Sequence, residues 1–114
     1  DIQYPAYVHP DRLGDADLRA LIRAMAEDNG ADAFVRQENA IIGRADSRPT
    51  LATIDCPTLV LVGDADRPTP PARAQEIAAG IAGSKLVVVP HSGHMTTIER
   101  PGEVAAALQA WMRM

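Results

Sequence analysis

Thr58-Leu-Val-Leu-Val-Gly-Asp-Ala-Asp66 and Lys85-Leu-Val-Val-Val-Pro-His-Ser-Gly-His94 share one grammar. Each is a short apolar run, then a breaker (Gly63 or Pro90), then polar residues. Neither run alternates apolar with polar, so each reads as a strand covered on both faces, the habit of parallel sheets. The 22 residues from 63 to 84 leave room for a crossover helix between them. That helix shows Ala74, Ile77, Ala78 and Ile81 on one stripe, with Thr69 as its cap and Pro70 in its first turn. A last helix repeats the spacing with Val104, Ala107, Leu108 and Trp111. The unit is βαβα.

Upstream of residue 50 the texture is helical. Leu18, Leu21, Ile22 and Met25 fall at i, i+3, i+4 and i+7, with Asp15 or Asp17 as cap. Gly30 is placed to end this helix in a left-handed conformation. A second helix is predicted from Asp32 to Ile42, stopped by Gly43, and residues 44–50 read as loop broken by Pro49. Two buried parallel strands do not make a sheet shielded at its edges. The expectation is therefore the carboxyl-terminal part of an open α/β sheet, incomplete as a domain, with the missing strands upstream or on another chain.

Composition narrows the function. The 114 residues carry 11 Lys+Arg against 15 Asp+Glu, a net charge of −4. That argues against a phosphate-tracking nucleic-acid binder and against a polybasic membrane-surface protein. No apolar run approaches the ~20 residues of a membrane span, and Asp1 to Pro10, polar and proline-bearing, lacks the basic-then-apolar pattern of a signal. The single Cys56 excludes an internal disulfide framework. A cytoplasmic protein is expected.

Ligand groups of open parallel sheets gather past the carboxyl ends of the strands. Here those ends bear acidic residues (Asp64, Asp66) and imidazoles (His91, His94). A carboxylate beside a histidine fixes its tautomer and stabilises the imidazolium, which is two-thirds of a nucleophilic triad. Spacing alone leaves other readings open. Asp66 also suits an Asx turn or an ion pair with Arg67, and His94 a helix-capping loop position. Asp64 reads as a turn former and His91 as a solvent-facing loop residue, while His9 has no assigned role. Cys56 reads as a small packed hydrophobe, and Met25 and Trp111 as core. Met95 suits either packing or the border of a pocket. Asp55, Asp64, Glu76 and Glu99 do not fall at metal-ligand spacing with the histidines, so no site of two histidines and one carboxylate is expected, and no cofactor.

Residues 51–114 resemble the carboxyl-terminal end of an α/β-hydrolase. The resemblance rests on Ile54-Asp-Cys-Pro-Thr-Leu-Val-Leu-Val-Gly-Asp-Ala-Asp66, Thr69-Pro-Pro71, Val88-Val-Pro-His-Ser-Gly-His94 and Glu99-Arg-Pro101, in that order. It implies Asp66 as triad acid and His94 as triad base. Gln37, Ala40 and the loop from Arg44 to Leu51 resemble the helix and linker returning from the lid in lactonase- and esterase-like members. Residues 1–50 would then be the end of a helical lid and its return linker, and 51–114 the end of the core. The family's nucleophile sits in a Gly-x-Ser-x-Gly elbow before the acid and base. These 114 residues contain no such elbow, and their serines are Ser47, Ser84 and Ser92. The implied function is hydrolysis of a small-molecule ester or lactone, with the nucleophile on a missing amino-terminal half and this chain inactive alone. The alternative is a non-catalytic truncated relic serving as an interaction or packing module.

Overall fold

A computed structural model describes residues 2–114. The two strands are β1 (Leu59–Gly63) and β2 (Lys85–Val89), parallel, with Leu59 opposite Lys85 and Gly63 opposite Val89. Their apolar runs form the ladder the sequence predicts, shifted by one residue at β1. The connection carries the helix α3 (Pro71–Gly80), which packs against both strands. It buries Ala74 and is followed by buried Ile81, while Ile77 stays exposed. Pro70, not Thr69, is the residue before its first turn, because the Thr69 side chain is engaged elsewhere.

After β2 come a short helix α4 (Thr96–Glu99), which the sequence reading lacked, and α5 (Pro101–Trp111). Pro101 starts α5 where its absent N–H costs nothing. Val104 is buried, and the Trp111 indole donates to the Pro57 carbonyl at 3.1 Å. Leu108 and Trp111 remain partly open, as do Leu86 and Val88 of β2. Full coverage of both strand faces is therefore not met among the described residues. One crossover helix and one trailing helix are too few to cover both faces of a two-stranded sheet.

The amino-terminal part begins with α1 (Tyr4–Tyr7) and a 3-10 turn (Pro10–Arg12), then α2 (Ala16–Gly43). The Asp15 carboxylate caps α2 by accepting from the Leu18 amide at 2.9 Å. Two helical segments meet at Gly30, whose φ of 79° and ψ of 166° lie outside any helix. Only glycine takes that combination freely, so the break is a positive-φ extended kink, not the left-handed cap expected. The 44–50 loop is half 3-10 helix, running from Arg48 to Thr53.

Leu18 packs with Tyr4 and Val8, and Tyr7, Ile22 and Ile98 close around them. Leu21 and Met25 stay largely exposed, so only part of the predicted stripe is buried. This small core matters because it seats residues 4–9 against the loop after β2. Among the described residues no helix is long and apolar enough to cross a membrane.

Candidate active site

Three segments converge past the carboxyl ends of the strands: residues 63–66, residues 90–95 and residues 7–9. Their approach is too close for side chains. A Cβ on Gly63 would overlap the carbonyl oxygens of Ser92 and Gly93, and one on Gly93 would lie 2.5 Å from the Val8 carbonyl carbon. Glycine is required at both places because backbone meets backbone. Main-chain bonds complete the junction. Ala65 N–H donates to the Ser92 carbonyl at 2.8 Å, and His94 N–H donates to the Tyr7 carbonyl at 2.8 Å.

Asp66 and His94 meet here. His94 Nδ1 lies 3.0 Å and 3.1 Å from the two Asp66 carboxylate oxygens. Asp66 is buried, and Thr69 fixes it as well, its amide on Oδ1 at 2.9 Å and its hydroxyl on Oδ2 at 3.1 Å, with that hydroxyl 3.3 Å from His94 Nδ1. An acceptor-only carboxylate so placed accepts a hydrogen bond from Nδ1–H, which keeps the proton on Nδ1 and leaves Nε2 as the basic nitrogen. The His94 side chain is 36% exposed, so the ring is reachable. The Tyr7 ring stacks on it, with centroids 5.7 Å apart.

Asp64 has a different task. Its carboxylate accepts from the amides of His91 and Ser92, both at 3.0 Å, tying the loop after β1 to the loop after β2. Burial works against its ionisation most strongly, yet those two amides and the nearby His9 and His91 rings hold its pKa below the ordinary value. The expected turn role is thus replaced by a cross-loop tie.

Sequence reasoning missed Glu99. It is 4% exposed, and its carboxylate accepts three main-chain amides: His9 at 2.7 Å, Gly93 at 3.0 Å and Met95 at 3.2 Å. Two of these flank His94 in the chain. Its three donors lie 90, 6 and 4 residues away and carry no common periodicity, so only the fold assembles them. His9, given no role from sequence, supplies one of those donors. Cys56, expected to be packed, is exposed. His9 and His91 lie beside Asp11, and one ligand atom from each falls within 4.8 Å of the others, against the expectation of no such grouping. The carboxylate concerned, Asp11, is 80 residues from His91 in sequence, so spacing could not reveal it.

A family model described as the alpha/beta hydrolase family matches residues 3–107. The pimeloyl-[acyl-carrier protein] methyl ester esterase of Stenotrophomonas maltophilia (strain R551-3) is 31% identical over 104 residues, 87% of this chain and 40% of its own. The chain thus spans about two fifths of the curated relatives it matches. Among solved structures, the enol-lactonase from Burkholderia xenovorans LB400 superposes with a TM-score of 0.86 at 26% identity, over 96% of this chain and 42% of that one. A thermophilic esterase from Thermogutta terrifontis is 41% identical over 62% of this chain and 26% of its own, with a TM-score of 0.60.

Proposed function

The chain belongs to the α/β-hydrolase family, and on that premise we propose that it supplies the orienting acid, Asp66, and the general base, His94, for acyl transfer from an ester or lactone to water. The observation that carries the reading is the 3.0 Å contact between His94 Nδ1 and the buried Asp66 carboxylate. Residues 1–50 are read as the end of the lid and its return linker.

The chemistry follows from the ring's orientation. With Nδ1–H held by Asp66, Nε2 takes the proton of a serine hydroxyl supplied from outside these 114 residues. The serine oxygen bonds to the carbonyl carbon, and the imidazolium is balanced by Asp66. As the tetrahedral species collapses, the carbon–oxygen bond to the alkoxide breaks and His94 returns the proton to it. Water then repeats the sequence on the acyl-serine, His94 taking its proton and handing it to the departing serine oxygen. Thr69 keeps the carboxylate from rotating away. Substrates are small esters or lactones, in keeping with the names of the relatives.

The test is p-nitrophenyl acetate turnover by the 114-residue chain alone and by the chain joined to an amino-terminal hydrolase segment bearing Gly-x-Ser-x-Gly. The chain alone is expected to be inactive, because a missing oxyanion donor by itself costs on the order of 100- to 1,000-fold. The joined protein is expected to turn over and to be labelled at the elbow serine by a fluorophosphonate. Failure of the joined, folded protein to turn over or to label favours the packing-module reading, which rests on the lack of an elbow within the 114 residues.

A further inference from the structure

We infer that His9, Asp11 and His91 form a binding site for a divalent transition-metal ion of the zinc class, joining the segment before α2 to the loop after β2. The inference is independent of the hydrolase reading, since none of the three is the proposed acid or base.

The geometry is near what such an ion requires. Four-coordinate zinc, with bonds of about 2.0–2.1 Å, sets its ligand atoms about 3.3–3.4 Å apart. His9 Nδ1 is already 3.4 Å from Asp11 Oδ2, and His91 Nδ1 is 3.8 Å from the same oxygen. One ligand atom from each residue lies within 4.8 Å of the other two. The shortfall is modest, and it falls on Asp11 and His91, whose side chains are 73% and 68% exposed and free to adjust.

The hydrogen bonding also suits a metal. His9 Nδ1 accepts the Asp11 amide at 3.1 Å, so its lone pair is presented on this side. An ion would take over that lone pair at the expense of one exposed hydrogen bond. Two imidazoles and one carboxylate are a ligand set that favours zinc, nickel and copper over magnesium or calcium. Water fills the remaining position.

The backbone around the site is held firmly. His9 N–H is fixed on Glu99 and His91 N–H on Asp64. His91 has φ of 52°, a left-handed conformation that glycine would adopt more cheaply. That conformation sets the His91 ring edge-on to His9, with centroids 5.4 Å apart. The Asp64 carboxylate, 3.0 Å from the His91 amide nitrogen, adds negative charge that favours a cation.

The probe is Co²⁺ titrated into the purified protein carrying Cys56→Ser, which removes the exposed thiol as a competing ligand. Expected are one ion per chain, the intense visible absorption of low-coordinate cobalt, and affinity lowered at least about tenfold by His91→Ala or Asp11→Asn. Zn²⁺ should raise the thermal midpoint of the parent protein and not that of His91→Ala. Both substituted side chains are exposed, and a far-UV spectrum without metal confirms folding of each variant. Cobalt affinity unchanged in folded His91→Ala and His9→Ala would overturn the inference. So would the lack of binding by the parent, or binding abolished only by His94→Ala, which would place the ion on the Asp66–His94 pair.

Discussion

Replacing Glu99 by Gln keeps the shape of the side chain and removes one of the two oxygens that hold three amides. If the remaining oxygen keeps Gly93 and Met95, the new amide nitrogen faces the His9 N–H, donor against donor. If it keeps His9, two bonds are lost instead. Hydrogen bonds to a charged group contribute about 1.5–3 kcal/mol each, and a buried orphan donor costs about 1–3 kcal/mol. Part of this is returned because a buried charge is removed, so the expected loss is about 2–4 kcal/mol. That is a large share of the ~5–15 kcal/mol that holds a typical domain together. In urea, with a slope of about 1–3 kcal/mol per molar, the unfolding midpoint should fall by about 0.7–4 M with the slope unchanged. Far-UV circular dichroism of the purified protein reads it directly. In the protein joined to a nucleophile segment, kcat should fall while KM holds if His94 is the base, because Gly93 and Met95 bracket it in the chain. A midpoint within about 0.3 M of the parent would refute the claim that Glu99 anchors the histidine loop.

Gly93→Ala should destabilise by about 2–3 kcal/mol in the same assay, since the added methyl meets the Val8 and His9 backbone and not a movable side chain. Asp64→Asn should lower the thermal midpoint at pH 6–7, and the gap from the parent should close as pH falls below about 4. The sign follows from a folded pKa held below the unfolded one. The stabilisation is complete above the unfolded value and is lost as pH drops through the folded value. Asp66→Asn in the joined protein should cut kcat by roughly 10³–10⁴-fold, because the amide no longer selects the Nδ1–H tautomer; steady-state ester hydrolysis measures it.

Both strands, the crossover helix, the trailing helix and the Asp66–His94 juxtaposition were readable from the sequence. Each is signalled locally, by an apolar run, a breaker or a helical stripe, and strand ends in a parallel pair bring their loops together. What escaped was long-range or conditional. Thr69 looks like a helix cap until Asp66 is placed beside it. Glu99 and its three amides, and the meeting of His9, Asp11 and His91, depend on α1 docking against the loop after β2. That docking is enforced by Gly93 and by Val8 packing with Tyr4 and Leu18. The stripe on α2 misled in part, because Leu21 and Met25 have the spacing of core residues but stay largely exposed.

The account turns on His94 as general base, and ester turnover by His94→Ala tests it most directly. The variant is to be compared with the parent and with His91→Ala, each joined to the same segment bearing the nucleophile and each shown to be folded. The predicted result is a kcat at least about 10³-fold lower for His94→Ala, with His91→Ala, measured without added metal, close to the parent. Equal turnover by His94→Ala and the parent, or a loss confined to His91→Ala, would contradict it.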